Sequence, residues 1–118
     1  MKKWADYIPK QKETCKKHGS EYIPVSLHLF IVASDNLESD AINGLRHPSH
    51  GSMDGWYIWG GEWSNNDDFF RPICAEHLIK LRPEIIKYLG LSVGYRFLAD
   101  KKGYEDVWFD EKITELND

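Results

Sequence analysis

The chain has 118 residues, 42% hydrophobic and 29% charged, which is ordinary for one globular domain. We find no run of roughly 20 apolar residues, as a membrane span needs, and no apolar run of a secretory signal at the start. The net charge of −4 is uneven, because residues 21–70 contain one basic residue against eight acidic ones. Acidic surface repels nucleic acid and favours basic protein partners. We therefore expect one cytoplasmic domain over residues 1–118, with neither a nucleic acid nor a membrane as partner.

The first predicted element lies in a Lys-rich N-terminal arm, residues 1–21. Residues 10–18 are predicted to form a short helix that ends at Gly19. Few apolar residues lie on this helix, so we expect it to pack loosely. An α+β core is expected over residues 22–116.

Two strands and a helical segment follow. The apolar residues 25–32 predict the first strand, and the aromatic residues 56–59 predict the second after the turn dipeptide Asp54-Gly55. Between them, residues 38–45 favour at least one helical turn, which must end before Pro48.

Helices and a hairpin are predicted for the second half. Apolar side chains have helical spacing over residues 73–81, and Pro83 is at a favoured position to begin another short helix through Leu89. Residues 95–99 and 104–109 are predicted to pair as a hairpin.

The last predicted helix begins after Asp110, a good N-cap, and extends to Leu116. Strands, then helices, then a hairpin indicate an α+β fold with a mostly antiparallel sheet and two or three short helices on one side. The predicted core contains Trp56, Ile58, Phe97 and Trp108.

Two Cys-x-x-His units, Cys15 to His18 and Cys74 to His77, could together supply four zinc ligands. However, Cys74 and His77 fall in a predicted helix rather than on a knuckle turn, so we expect no metal. Cys74 is interpreted as a small buried core residue.

No motif frames a catalytic nucleophile, and no cofactor motif is present. The carboxylates Glu62, Asp67 and Asp68 could serve acid–base chemistry, but one acidic loop in a short chain offers little scaffold for a deep cleft. We therefore expect a protein that is not an enzyme and has no cofactor.

The five Trp residues exceed what a short core usually needs, and Trp is favoured at the centres of binding interfaces. Residues 62–68 are predicted to form an exposed polar loop around Trp63. The predicted partner-binding residues are Trp59, Glu62, Trp63, Asp67 and Asp68, facing a basic protein surface. In the alternative interpretation, Glu62 caps backbone amides and only shapes the loop.

Residues 54–62 contain a Gly-Trp strand that leads into a Gly-Gly-Glu turn, and an acidic, Asn-containing loop follows. Later elements are a Pro-initiated helix at residues 83–89 and a Val-Gly step into the aromatic strand at residues 93–97. This order resembles the thirty-third immunity-protein family of bacterial polymorphic toxin systems, formerly a domain of unknown function, over roughly residues 27–112. Residues 41–53 and the Lys-rich arm depart from that pattern.

The resemblance implies a cytoplasmic protein that binds and neutralises a cognate toxin without catalysis. The residues alone leave two alternatives open. One is a general binding or regulatory module, such as a small-ligand sensor. The other is a small hydrolase, which a deep pocket with paired titratable residues would favour.

Overall fold

The computed structural model describes residues 2–114 of the chain. Its α-helices are α1 (Ile8–His18) and α2 (Leu78–Leu81), and its strands are β1 (Phe30–Ser34), β2 (Ile42–Arg46), β3 (Met53–Gly60), β4 (Phe70–Cys74), β5 (Tyr95–Ala99) and β6 (Glu105–Phe109). The 3-10 helices are Trp4–Tyr7, Ala75–His77, Pro83–Tyr88 and Glu111–Thr114. In residues 2–114, no helix is both long and apolar enough to cross a membrane.

The strands form one six-stranded sheet in the order β4-β1-β3-β2-β5-β6. The β1–β3 pair is parallel, and the other four pairs are antiparallel. The predicted α+β class with a mostly antiparallel sheet is therefore confirmed.

The two faces of the sheet are covered differently. Side chains alternate along β3, so Trp56 and Ile58 point to one face and Tyr57 and Trp59 to the other. The first face packs against the helices in one large core, whose members include Cys15, Ile31, Trp56, Ile58, Leu78, Ile85, Ile86, Tyr88, Leu89 and Phe97. On the second face, Ile113 from the last 3-10 helix packs in a small cluster with Leu45 and Trp59. We call the second face the open face.

Helix α1 confirms the predicted N-terminal helix, and Gly19 ends it with a φ of 73°. It packs more tightly than its polar composition predicted, because Gln11, Thr14 and Cys15 are buried. The Gln11 side-chain amide donates a hydrogen bond of 3.0 Å to the Ile86 carbonyl, which satisfies that polar group inside the core.

Two predicted elements in the first half of the chain differ from the structure. Residues 25–29 are not a strand, since β1 begins at Phe30. Residues 38–45 are not helical, because β2 lies there between β3 and β5 and its pairing on both edges outweighs local preference. Gly44 makes room in this strand, since a Cβ there would lie 2.1 Å from the Phe97 ring.

The predicted helix over residues 73–81 begins two residues late: Ala75–His77 is a 3-10 helix and leads directly into α2. Residues 70–74 pair with β1 instead, and α2 covers one turn. The following helix begins at Pro83 as predicted but is a 3-10 helix. The final helix begins after Asp110, whose carboxylate accepts a 3.1 Å hydrogen bond from the Lys112 amide. Its predicted continuation to Leu116 lies outside the described residues.

The predicted core is right for three of its four members. Trp56, Ile58 and Phe97 have at most 1% of their surface exposed, whereas Trp108 is 37% exposed. Trp108 is exposed because β6 is an edge strand, and its ring on the open face is contacted by the Arg96 guanidinium at 5.5 Å.

We predict that Phe97→Ala lowers the free energy of unfolding by about 3–5 kcal/mol. The Phe97 ring stacks on Tyr88 with centroids 4.5 Å apart, so truncation leaves a cavity in the main core. Trp108→Ala is the matched control on the same hairpin and should cost about 1 kcal/mol or less. Urea unfolding of both variants measures this, and equal losses would contradict the assignment of Trp108 to the surface.

Candidate partner-binding surface

The segment between β3 and β4 lies against the open face. Since β1 separates these two strands in the sheet, the connection must cross the end of β1. Trp63 in this segment packs edge-on against Trp59, with ring centroids 5.0 Å apart at 88°. Its ring is also 5.0 Å from that of Phe70. The loop is therefore attached to the sheet by its own Trp side chain.

Five rings form a continuous group here, which we call the aromatic cluster: Tyr57, Trp59, Trp63, Phe69 and Phe70. Their neighbouring centroids lie 4.8–6.4 Å apart, in the edge-to-face range that aromatic pairs prefer. Trp63 is 50% exposed, whereas Trp59 is only 4% exposed. Trp63 is thus the solvent-facing ring, and Trp59 supports it from below.

Short side chains order the loop around Trp63. The Trp63 indole N–H donates to the Asn65 side chain at 3.1 Å. The Ser64 hydroxyl accepts from the Asn66 amide at 3.1 Å, and the Asn66 side chain accepts from the Asp68 amide at 3.0 Å. These local turns fix the backbone of the loop in the protein alone, before any partner binds.

The Gly60-Gly61 turn that starts the loop is held by asparagines. The Asn36 side chain donates to the Gly60 carbonyl at 2.7 Å and accepts from the Gly60 amide at 3.2 Å. The Asn43 side chain donates to the Gly61 carbonyl at 3.0 Å. A Cβ at Gly60 would lie 2.1 Å from the Asn36 carbonyl oxygen, which explains the glycine there. Asn36 and Asn43 thus hold this turn, and Glu62 is exposed beside it.

Glu62, Asp67 and Asp68 are all exposed on this loop. Arg46, the one basic residue of residues 21–70, is buried and pairs with Asp54 at 3.0 Å. It therefore does not offset the charge of the exposed acids. The structure brings these acids to the same loop as Trp63, and places Trp59 beneath that ring.

Sequence reasoning missed three members of the aromatic cluster: Tyr57, Phe69 and Phe70. The Phe69-Phe70 pair directly after a polar loop was the available signal, because large apolar rings that follow a polar loop tend to be buried against the sheet. Tyr57 could be inferred from the alternation along β3.

The two cysteines lie in different environments. Cys15 is buried in α1, where burial raises the pKa of its thiol. Cys74 is exposed at the end of the edge strand β4, so its assignment to the core is wrong. Residues 2–114 contain no group of three or more His, Cys, Asp or Glu side chains placed to hold a metal ion.

A second polar cluster lies on the helical side, around Glu105. Its carboxylate accepts hydrogen bonds from the Tyr88 hydroxyl at 2.6 Å and the Lys17 ammonium at 2.9 Å, and Lys87 lies 3.3 Å away. The hydrogen bond from Tyr88, with the two lysines, lowers the pKa of Glu105 to about 2. These residues line a cavity of about 440 Å³.

Together, fold and surface define an α+β protein with both α-helices on one sheet face and, on the other, an aromatic cluster that exposes Trp63 beside acidic residues. The family model of the Imm33-like domain matches residues 10–110, and the chain belongs to this family. The match includes most of α1 and residues 41–53, so the N-terminal helix is part of the family pattern. No curated protein and no solved structure matches the chain significantly.

Glu105 predicts a specific pH dependence of stability. Its pKa is lowered from 4.5 to about 2 in the folded protein, so its contribution is present above pH 4.5 and is lost as the pH falls from 4.5 towards 2. Glu105→Gln should therefore lower the free energy of unfolding by about 2 kcal/mol at pH 7 and by much less near pH 2.

Urea unfolding of the wild type and of Glu105→Gln at both pH values measures this difference in the free energy of unfolding. The exposed Glu21→Gln, which removes the same charge elsewhere, should show little change at either pH. A Glu105→Gln gap of equal size at both pH values would show that the carboxylate charge is not what stabilises the cluster.

Proposed function

We propose that this protein is a bacterial immunity protein that binds a cognate toxin in the cytoplasm and neutralises it without catalysis. Its membership of the Imm33-like family supports a role in immunity. The observation that carries the site is the exposed Trp63 ring, held on a preformed aromatic cluster beside the exposed acids Glu62, Asp67 and Asp68.

Trp63 has the properties of an interface anchor. Half of its surface is exposed, so a partner can bury a large apolar area there. Its position is already fixed by Trp59, Phe70 and Asn65, so binding costs little further side-chain entropy. Trp59 contributes by supporting Trp63 from beneath.

The acidic residues specify the kind of partner. Glu62, Asp67 and Asp68 favour a basic toxin surface and speed the encounter with it. If that surface is a cleft for an anionic substrate, the bound loop blocks substrate directly. Binding of the loop to the toxin is then sufficient to neutralise it, and no chemical step is needed.

The two alternatives have weaker support. A small-ligand sensor would use the cavity beside Glu105, but that carboxylate is already bonded to Tyr88 and Lys17. A hydrolase would use Glu62, Asp67 or Asp68, but all three are exposed to solvent rather than desolvated in a cleft.

We predict that Trp63→Ala weakens toxin binding by about 2 kcal/mol or more, because it removes the exposed anchor. Asp67→Asn with Asp68→Asn should slow association and reduce its dependence on salt, because steering is electrostatic. The toxin is obtained by co-expression with the neighbouring open reading frame and pull-down. Surface plasmon resonance at several salt concentrations gives both rate constants.

Two matched controls separate the surface from general effects. Tyr104→Ala removes an aromatic side chain that is 52% exposed on the β5–β6 hairpin. Glu13→Gln with Glu21→Gln removes two charges from the helical side. Both controls should bind like the wild type. Unchanged affinity in the loop variants would show that the interface lies elsewhere, and the acidic residues 105–115 would be the next candidate to test.

A further inference from the structure

The two edge strands of the sheet differ in how they resist pairing with another strand. In β4, Pro72 lies in the middle of the strand and has no N–H to offer. Proline on an edge strand is a common protection against edge-to-edge association. Strand β6, Glu-Asp-Val-Trp-Phe, has neither Pro nor Lys at any position. The β4 edge therefore lacks one backbone donor, whereas every residue of β6 has its N–H, and the Glu105 carboxylate of β6 is already bonded to Tyr88 and Lys17.

The outer edge of β6 offers backbone groups for a further ladder. The Asp110 amide donates to the Gly94 carbonyl at 2.7 Å, and the Asp100 amide donates to the Tyr104 carbonyl at 3.2 Å. Hydrogen-bonded pairs alternate with non-bonded pairs in an antiparallel ladder, so Asp106 and Trp108 direct their backbone groups to β5. The backbone groups of Glu105, Val107 and Phe109 consequently point outward, and no strand of residues 2–114 pairs with them.

Exposed apolar side chains lie on the same edge. Trp108 and Phe109 are 37% and 52% exposed, on opposite faces of β6. A strand added here would cover both rings while satisfying the outward backbone groups. An edge of this kind is a template for strand addition.

We propose that β6 pairs antiparallel with β6 of a second copy of this chain, centred on Val107, so that the two sheets become continuous. In this register Val107 faces Val107 of the second copy, Asp106 faces Trp108, and Glu105 faces Phe109. No two acidic side chains are directly opposed. The inference goes beyond the proposed immunity function and does not depend on it.

Charge selects this register over its neighbours. Pairing centred on Asp106 would oppose the two Asp106 side chains, and pairing centred on Trp108 would oppose Asp106 to Asp110. Like charges directly opposite each other destabilise a sheet. In the Val107 register, Asp106 instead faces Trp108 of the second copy, and the Arg96 guanidinium, which pairs with Asp110 of its own chain at 3.2 Å, lies on the other side of that ring.

The dimer leaves the aromatic cluster accessible. Strand β6 is at one edge of the sheet, and Phe70, the first residue of β4, is at the other. Each copy would therefore present its own Trp63 loop, away from the joined edges.

Sedimentation equilibrium of the purified protein over about 1–200 µM tests the proposal. The expected mass rises towards twice the 13.8 kDa of the chain. Val107→Pro removes one outward N–H and leaves the β5 ladder intact, so it should raise the dimer Kd at least about tenfold with an unchanged circular dichroism spectrum. A wild type that stays at 13.8 kDa throughout, or a folded Val107→Pro that still dimerises, would overturn the proposal.

A charge swap tests the register and does not rely on the proline variant folding. Trp108→Asp opposes an acid to Asp106 of the second copy and should weaken the dimer. Adding Asp106→Lys to it creates an attractive pair and should restore the dimer. Leu81→Asp, an equally apolar-to-acidic change at an exposed site off the strand, should have no effect. Failure of the double variant to recover would rule out this register.

Toxin binding by Val107→Pro separates the two proposals. Normal binding by a monomeric variant would support a dimer that is independent of immunity. If the wild type is itself monomeric and Val107→Pro no longer binds the toxin, the β6 edge contacts the toxin, and the self-pairing is overturned.

Discussion

The rest of the fold depends on one buried ion pair, Arg46 with Asp54, whose side chains are only 3% and 5% exposed. The Arg46 guanidinium also donates to the carbonyls of Ile23 and Leu91, both at 2.7 Å, and the Asp54 carboxylate accepts from the Ser26 amide at 3.1 Å. Three parts of the chain that are distant in sequence, residues 23–26, residues 46–54 and Leu91, thereby meet on the helical face of β2 and β3. Removing one partner of such a pair leaves an uncompensated buried charge and costs about 3–5 kcal/mol. Burial lowers the pKa of Arg46, and the nearby Asp54 charge opposes that shift.

A second buried arginine, Arg82, also holds backbone segments in place, and its contacts lead to the loop on the open face. Arg82 donates to the carbonyls of Leu37, at 2.8 Å, and Ser39, which fixes the connection between β1 and β2. Asn36 in that connection holds the Gly60 end of β3, from which the Trp63 loop begins. The loop is thus positioned through backbone contacts made by a side chain on the helical side. This arrangement explains how a short chain keeps one face packed for stability and leaves aromatic rings exposed on the other.

Elements with strong local signals could be predicted from the sequence: the helix closed by Gly19, the Trp56 strand, the loop around Trp63 and the β5–β6 hairpin. Strand β2 could not, since pairing with two neighbours rather than its own residues makes it extended. The role of Arg46 was also hidden, because a single basic residue in an acidic segment does not reveal which carbonyls it will reach. Trp108 was misassigned because strand periodicity does not show whether a strand lies at an edge. Of the candidate site, the exposed Trp63 loop with its acids could be predicted, whereas the burial of Trp59 and its contacts with Phe70 depend on how the chain crosses the end of β1.

The most direct test of the central claim, that the open face with its Trp63 loop is the binding surface, is hydrogen exchange of the protein alone and with its toxin bound. Backbone amides in residues 61–70 should gain protection of at least about tenfold, while those of α1 and residues 83–88 on the helical side stay unchanged. Protection confined to the helical side, with residues 61–70 exchanging as in the free protein, would contradict the account.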